Sequence, residues 1–204
     1  MVIEEKGGLP VLSFACAEDW GRWLARQPGA STGLWLKLAK KGAGARSVWR
    51  REAIETALCH GWIDGQLDKY DEHWWLVRFT PRSPRSKWSE VNRSTALRLM
   101  EDGRMLPAGL VQVEAARADG RWDAAYAPQS TATVPADLQA ALDTSPAAKR
   151  LFAELNGANR YAVLYRVHDA KTARTRVQRI ERFVAMLERG EMVHPPKAPG
   201  KGSG

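Results

Sequence analysis

The chain has 204 residues, 44% hydrophobic and 26% charged, proportions that fit a soluble globular protein with a buried core. It has no stretch near 18 apolar residues and no apolar core in MVIEEKGGLP, so neither a membrane span nor an export signal is read from it and a cytoplasmic protein is expected. A net charge of +8 and a pI of about 9.8 admit nucleic acid, anionic lipid or acidic ligands as partners.

The charge is spread along the chain. Residues 135–204 hold 12 Lys+Arg against 7 Asp+Glu, and residues 1–134 hold 19 against 16. The cysteines are Cys16 and Cys59, too far apart for a metal-ligand spacing, so reduced thiols are expected and no metal or cofactor is called for. Nine tryptophans imply either a thick aromatic core or a stacking surface.

Taken in order, residues 1–10 read as a flexible lead-in and Val11 to Phe14 as a short edge strand. A helix follows from Ala17, with the acids Glu18 and Asp19 at the positive end of its dipole, and Pro28-Gly29 ends it. Gly33 to Lys40 alternates as a strand, with Leu34, Leu36 and Leu38 on one face and Trp35, Lys37 and Ala39 on the other. The basic loop Lys40 to Arg46 is glycine-rich but lacks the order of a phosphate-binding loop. Ser47 is placed to cap a helix over 48–59 whose stripe is Ile54, Ala57 and Leu58. His60 falls in its last turn, where a protonated imidazole suits the dipole, and Gly61 is the expected residue after the helix.

A hairpin follows. Trp62, Asp64 and Gln66 share one face of its first strand, and Ile63 is expected to point into the core. In the returning strand Trp74, Leu76 and Arg78 alternate with Trp75, Val77 and Phe79, and either set can be the buried one. The two prolines in Thr80 to Lys87 exclude a central strand or a helix there. A helix then begins near Trp88, placing Asn92 on its apolar side, where a half-buried amide needs partners. Pro107 opens another helix to about Ala118. Residues 127–134 read as a linker, and helices are expected at about 136–142, 146–155, 158–168 and 172–189, started by Asp143 or Thr144 and by Thr172. Arg176 falls on the apolar stripe of the last helix, where it should snorkel or pair with a carboxylate at the core edge. The tail 193–204, rich in Pro, Gly and Lys, is expected to be disordered.

The fold expected is therefore α+β, a small antiparallel sheet covered by helices over 11–126, followed by an all-helical unit over 135–192.

Three chemistries fit the residues. The first is a non-catalytic binding site with Trp62, Trp74, Trp75 and Trp88 as stacking walls and Asp64, Arg82, Arg85 and Asn92 as orienting groups, for a small aromatic or anionic molecule. Its rival is that the arginines make structural ion pairs with Asp64 or Asp68 and the tryptophans are core. The second is nucleic-acid binding through the basic windows 78–98 and 160–182, the second holding seven cations against Asp169 and Glu181. The third is a thiol enzyme using Cys59, His60 and Asp64, although neighbouring helical residues point about 100° apart.

The stretches ALCHGWIDG (57–65), FTPRSPRSKWSEVN (79–92), GRMLPAG (103–109) and ADGRWDAAY (118–126), with AKTARTRVQRIERFVAMLERG (170–190), resemble the YdeI/OmpD-associated family, also labelled bacteriocin-protection proteins. The resemblance spans roughly residues 10–192. It implies a bacterial protein of antibiotic protection or stress resistance, with a small-molecule or peptide antimicrobial as partner. The family name also refers to an outer-membrane porin, whereas no membrane insertion is expected of this chain. The oligomeric state is left open.

Overall fold

The computed structural model describes residues 4–27 and 30–195, and the α+β class holds. The chain divides into two compact units, one to Ala125 and one from Tyr126.

The first unit contains β1 (Glu5–Lys6), β2 (Leu9–Leu12), α1 (Ala17–Ala25), β3 (Leu34–Ala39), α2 (Arg50–Cys59), β4 (Trp62–Lys69), β5 (Trp74–Pro81), α3 (Glu90–Glu101) and α4 (Pro107–Ala118). The strands form one sheet in the order β1-β2-β3-β5-β4. Much of the expected lead-in is thus structured. Gly7 and Gly8 both take positive φ, 57° and 74°, the twist that closes a two-residue hairpin between β1 and β2.

The sheet is mixed rather than wholly antiparallel, because β2 and β3 pair in parallel across the α1 crossover. Strand alternation carries no information on direction, so that pairing had no signature in the sequence. β3, β5 and β4 are antiparallel neighbours.

The face of β5 bearing Trp75, Val77 and Phe79 is the one covered by helices. Val77 and Phe79 join Trp20, Leu24, Leu34, Leu36, Leu38, Val48, Ala53, Ala57 and Trp62 in the main core. Trp20 is fully buried at its centre, stacked on Trp23 at 5.4 Å and donating its indole N–H to Ala53 O at 3.1 Å. From β4 it is Trp62, and not the expected Ile63, that enters this core. The larger apolar body wins the buried face, and the register irregularity between Asp64 and Leu67 ends regular alternation beyond it. A smaller cluster of Leu9, Val11, Trp35 and Leu76 covers the opposite face.

Helix α2 stops where expected. Gly61, at φ 75°, takes the left-handed conformation that closes the helix end, and its carbonyl accepts from Arg82 N at 2.9 Å. A third cluster joins α2 to α3 and α4 through Leu58, Cys59, Trp88, Leu99, Val113 and Trp122.

The second unit is helical: α5 (Ala136–Asp143), α6 (Pro146–Glu154), α7 (Gly157–His168) and α8 (Ala173–Glu188) around Leu138, Leu142, Phe152, Val163, Val167, Ile180, Phe183 and Leu187. Ser145, rather than Asp143 or Thr144, caps α6, and Thr172 caps α8 as expected. Arg176 finds its carboxylate in Asp137, Nη2 donating at 2.8 Å, while Nη1 donates to Val167 O at 3.0 Å. Residues 127–134 are irregular and pack onto this unit through Ala132 and Val134, and Ala127 O accepts from the Tyr161 hydroxyl at 2.9 Å. Of the tail, Val193 packs on the same core and His194 is held by Asn159; residues 196–204 lie outside the described residues.

Candidate functional site

The eight residues singled out for binding separate into three groups. Trp62 and Trp88 are 4% and 2% exposed. Trp62 sits edge-on to Trp20 and Trp23, and Trp88 edge-on to Trp122 at 4.9 Å. Arg82, 6% exposed, lays its guanidinium 3.6 Å from the centre of the Trp88 ring and donates from Nη1 to Lys87 O. These three side chains fill the interior next to the proline loop, and a ligand would have to displace core to stack on them. Trp74 and Arg85 lie elsewhere. Lys37 Nζ stands 5.1 Å from the Trp74 ring, and Arg85 is exposed in the loop before α3.

Of the remaining three, Asp64 and Trp75 meet one residue that sequence reasoning did not select, Arg50, and Asn92 is tied to it through Asp64. Its guanidinium lies 5.6 Å from the Trp75 ring centre, and its Nη2 is 3.6 Å from Asp64 Oδ2. Asn92 Nδ2 donates to the other oxygen of Asp64 at 3.5 Å, at the outer limit of a hydrogen bond. Each partner is placed by its element. Trp75 comes from the helix-covered face of β5, Asp64 from β4 opposite Phe79, and Asn92 from the first turn of α3, where its backbone N–H is capped by Ser89 Oγ. Arg50 opens α2.

Arg50 lies where two open grooves meet. One, of about 510 Å³, runs between α2 and α3 and is lined by Arg50, Arg51, Ile54, Glu55, Val91, Asn92, Thr95 and Arg98. The other, of about 310 Å³, lies between the end of β3 and the start of α2, lined by Leu38, Ala39, Lys40, Lys41, Val48, Trp49, Arg50 and Trp75. Both volumes fall in the range of small-molecule sites, roughly 300–1,000 Å³.

Electrostatics in the first groove is organised by Glu55, 7% exposed. It accepts hydrogen bonds from Arg51 Nε at 3.0 Å, Arg98 Nη2 at 2.7 Å and Arg104 Nη1 at 3.3 Å. Burial pushes its carboxyl up, but the bonds from Arg51 and Arg98 and the charges of Arg98 and Arg104 outweigh that and hold it below the usual carboxylate range. The groove lining holds Arg50, Arg51 and Arg98 against Glu55, which leaves it positive, with Arg98 also paired to Asp102 at 3.5 Å. Such a wall of forked donors suits an anionic ligand.

The thiol arrangement gains nothing from the geometry. Cys59 is 7% exposed, and burial pushes its thiol up, the reverse of what an activated nucleophile needs. His60 was expected to favour its charged form at the helix end, but burial pushes its pKa down. Desolvation outweighs the dipole there. Among the described residues no three His, Cys, Asp or Glu side chains gather to hold a metal ion. In the basic windows Arg82 stacks on Trp88, Arg93 donates to Trp122 O, Arg98 to Glu55, Arg176 to Asp137 and Arg179 to Arg166 O, so much of their charge is engaged within each unit.

Trp49 and Arg50 carried a readable signal, an aromatic-cation pair directly after the basic glycine loop.

Among known protein families, residues 12–112 match a domain of unknown function (DUF8412), and residues 131–190 match the family described as bacteriocin-protection, YdeI or OmpD-associated. The stretches 57–65, 79–92 and 103–109 therefore fall in the first match and 170–190 in the second. No curated protein and no solved structure gives a significant match to the chain. No helix among the described residues is long and apolar enough to cross a membrane.

Proposed function

We propose, from the match of residues 131–190 to the family described as bacteriocin-protection, YdeI or OmpD-associated, that this is a protection or stress-resistance protein acting by binding. It sequesters a small aromatic or anionic molecule, such as an antimicrobial compound, without chemical change. The observation that carries this reading is the approach of Asp64 and Trp75 to Arg50, with Asn92 bonded to Asp64, at the meeting of two open grooves. Arg50 is partly exposed, with its side chain at 43%, and its one ion pair among the described residues is long, so its fork remains available to an incoming carboxylate or phosphate. Asp64 then acts as the counter-charge that holds Arg50 in place while the site is empty.

The test is protection in cells. A susceptible strain expressing the wild-type chain is challenged with a panel of peptide and small-molecule antimicrobials, beside strains expressing Arg50→Ala and Asn92→Ala at matched protein levels. Protection should fall for both variants, and mass spectrometry should recover the bound compound unaltered. Equal protection by Arg50→Ala would sink the site, and a chemically modified product would replace sequestration with catalysis.

A further inference from the structure

We propose that the cleft between the end of β3 and the start of α2 is an aromatic-anion subsite, so that the ligand of the Arg50 surface is a planar aromatic molecule carrying a phosphate, sulfonate or carboxylate. This rests on the binding reading above and names the ligand class within it.

The first observation is Trp49. Five tryptophans of this unit, Trp20, Trp35, Trp62, Trp88 and Trp122, are no more than 7% exposed, whereas Trp49 is 68% exposed. Leaving so large an apolar ring in water forgoes burial that its neighbours achieve, and exposed aromatic faces of this size are the usual means of holding planar ligands. The backbone beneath the ring is also anchored. Trp49 precedes α2 with an extended backbone, φ −72° and ψ 144°, and its backbone N–H donates to Glu52 Oε2 at 3.2 Å. A fixed backbone presents the indole with little further loss of freedom on binding.

The second observation is the chemistry of the lining. Trp75 supplies another aromatic surface, Leu38, Ala39 and Val48 apolar floor, and Lys40, Lys41 and Arg50 positive charge. Among the described residues no carboxylate lines the cleft. Lys40 Nζ donates to the Asp71 carbonyl, while Lys41 makes no ion pair among the described residues. Every polar side-chain group among the described lining residues is therefore a donor, four of the five cations and indoles (Lys40, Lys41, Trp49 and Arg50) lie within residues 40–50, and an anion is the complement. The cleft has room for one or two fused rings, with the anionic group directed to Arg50 and through it to the α2–α3 groove.

The experiment titrates the full chain calorimetrically with 1-naphthyl phosphate, 1-naphthol and inorganic phosphate, using wild type, Trp49→Ala and Trp49→Phe. Aromatic stacking of the strength seen for nucleobases predicts that 1-naphthyl phosphate binds at least about tenfold more tightly than inorganic phosphate. Trp49→Ala should weaken 1-naphthyl phosphate by about tenfold and leave inorganic phosphate unchanged, with Trp49→Phe restoring part of the loss. Equal affinities for 1-naphthyl phosphate and inorganic phosphate, or indifference to Trp49→Ala, overturn the aromatic subsite while leaving anion binding at Arg50 intact. Binding of 1-naphthol as tight as 1-naphthyl phosphate overturns the anionic half. Absence of any binding removes the Arg50 site together with its subsite.

Discussion

Replacing Glu55 by glutamine keeps the shape of the side chain and removes its charge, which separates what holds the α2–α3 groove together from what the groove binds. The Glu55 side chain is 10% exposed, and its three partners Arg51, Arg98 and Arg104 are 82%, 40% and 53% exposed. Removing one member of a fully buried pair costs about 3–5 kcal/mol because a charge is left stranded. Here the guanidiniums regain water, so each lost bond is nearer the value of about 0.2–1 kcal/mol for exposed pairs. Adding the mismatch of a buried amide N–H₂ facing cations gives a loss of about 2 kcal/mol for Glu55→Gln at neutral pH. That corresponds to a fall of roughly 6–10 °C in Tm for a unit of this size. The folded pKa of Glu55 is depressed, so its contribution is complete above the unfolded value of about 4.3 and lost as pH falls through the folded value. The variant should therefore show a shallower decline in stability below about pH 4.3. Meanwhile the groove gains a net positive charge, so an anionic ligand should bind the variant as well as or better than wild type. Urea unfolding at pH 7 and through the acid range, with calorimetric titration beside it, measures all three. A loss under about 0.5 kcal/mol with an unchanged acid slope would refute the assignment of Glu55 as the groove's organising charge.

Three further outcomes follow from the same geometry. Trp62→Ala, which empties a side chain 4% exposed in the main core, should cost about 3–5 kcal/mol by chemical denaturation. His60, with its pKa pushed below the ordinary 6.5 by burial, stabilises fully above that value and progressively less as pH falls below it; His60→Gln should flatten the stability curve below about pH 6.5, read by urea unfolding at several pH values. Arg176→Ala removes the paired bonds to Asp137 and the bond to Val167 O, and should lower the stability of the second unit by about 1–2 kcal/mol, seen as faster hydrogen exchange in α5 and α8.

Local chemistry was legible in the sequence at several helix ends but not at the N-caps of α2 and α6. There Trp49 stands in place of the expected Ser47, whose hydroxyl accepts from Ala39 N instead, and Ser145 in place of Asp143 or Thr144. Gly61 ends α2, Pro107 opens α4, and the position of Arg176 on an apolar stripe foretold a carboxylate that proved to be Asp137. What required three dimensions was anything set by pairing between distant strands. The parallel step from β2 to β3 leaves no mark on alternation, and the register break after Asp64 cannot be read from polar residues at a strand end. The site shows the same division. Asp64, Trp75 and Asn92 were each visible as candidates, yet Arg50, which meets Asp64 and Trp75, lies on α2, brought to them by the packing of that helix on β4. The tryptophans were the hardest to sort. With nine in the chain, composition does not say which are core, and helical periodicity does not apply to Trp49 because its backbone is extended.

The most direct test of binding at Arg50 is to follow the indole N–H signals of ¹⁵N-labelled protein by NMR while 1-naphthyl phosphate is added. The account predicts that the signals of Trp49 and Trp75 move together and saturate, while those of Trp20, Trp62 and Trp88 stay in place. Movement confined to the buried tryptophans, or no movement at all at millimolar ligand, would contradict it.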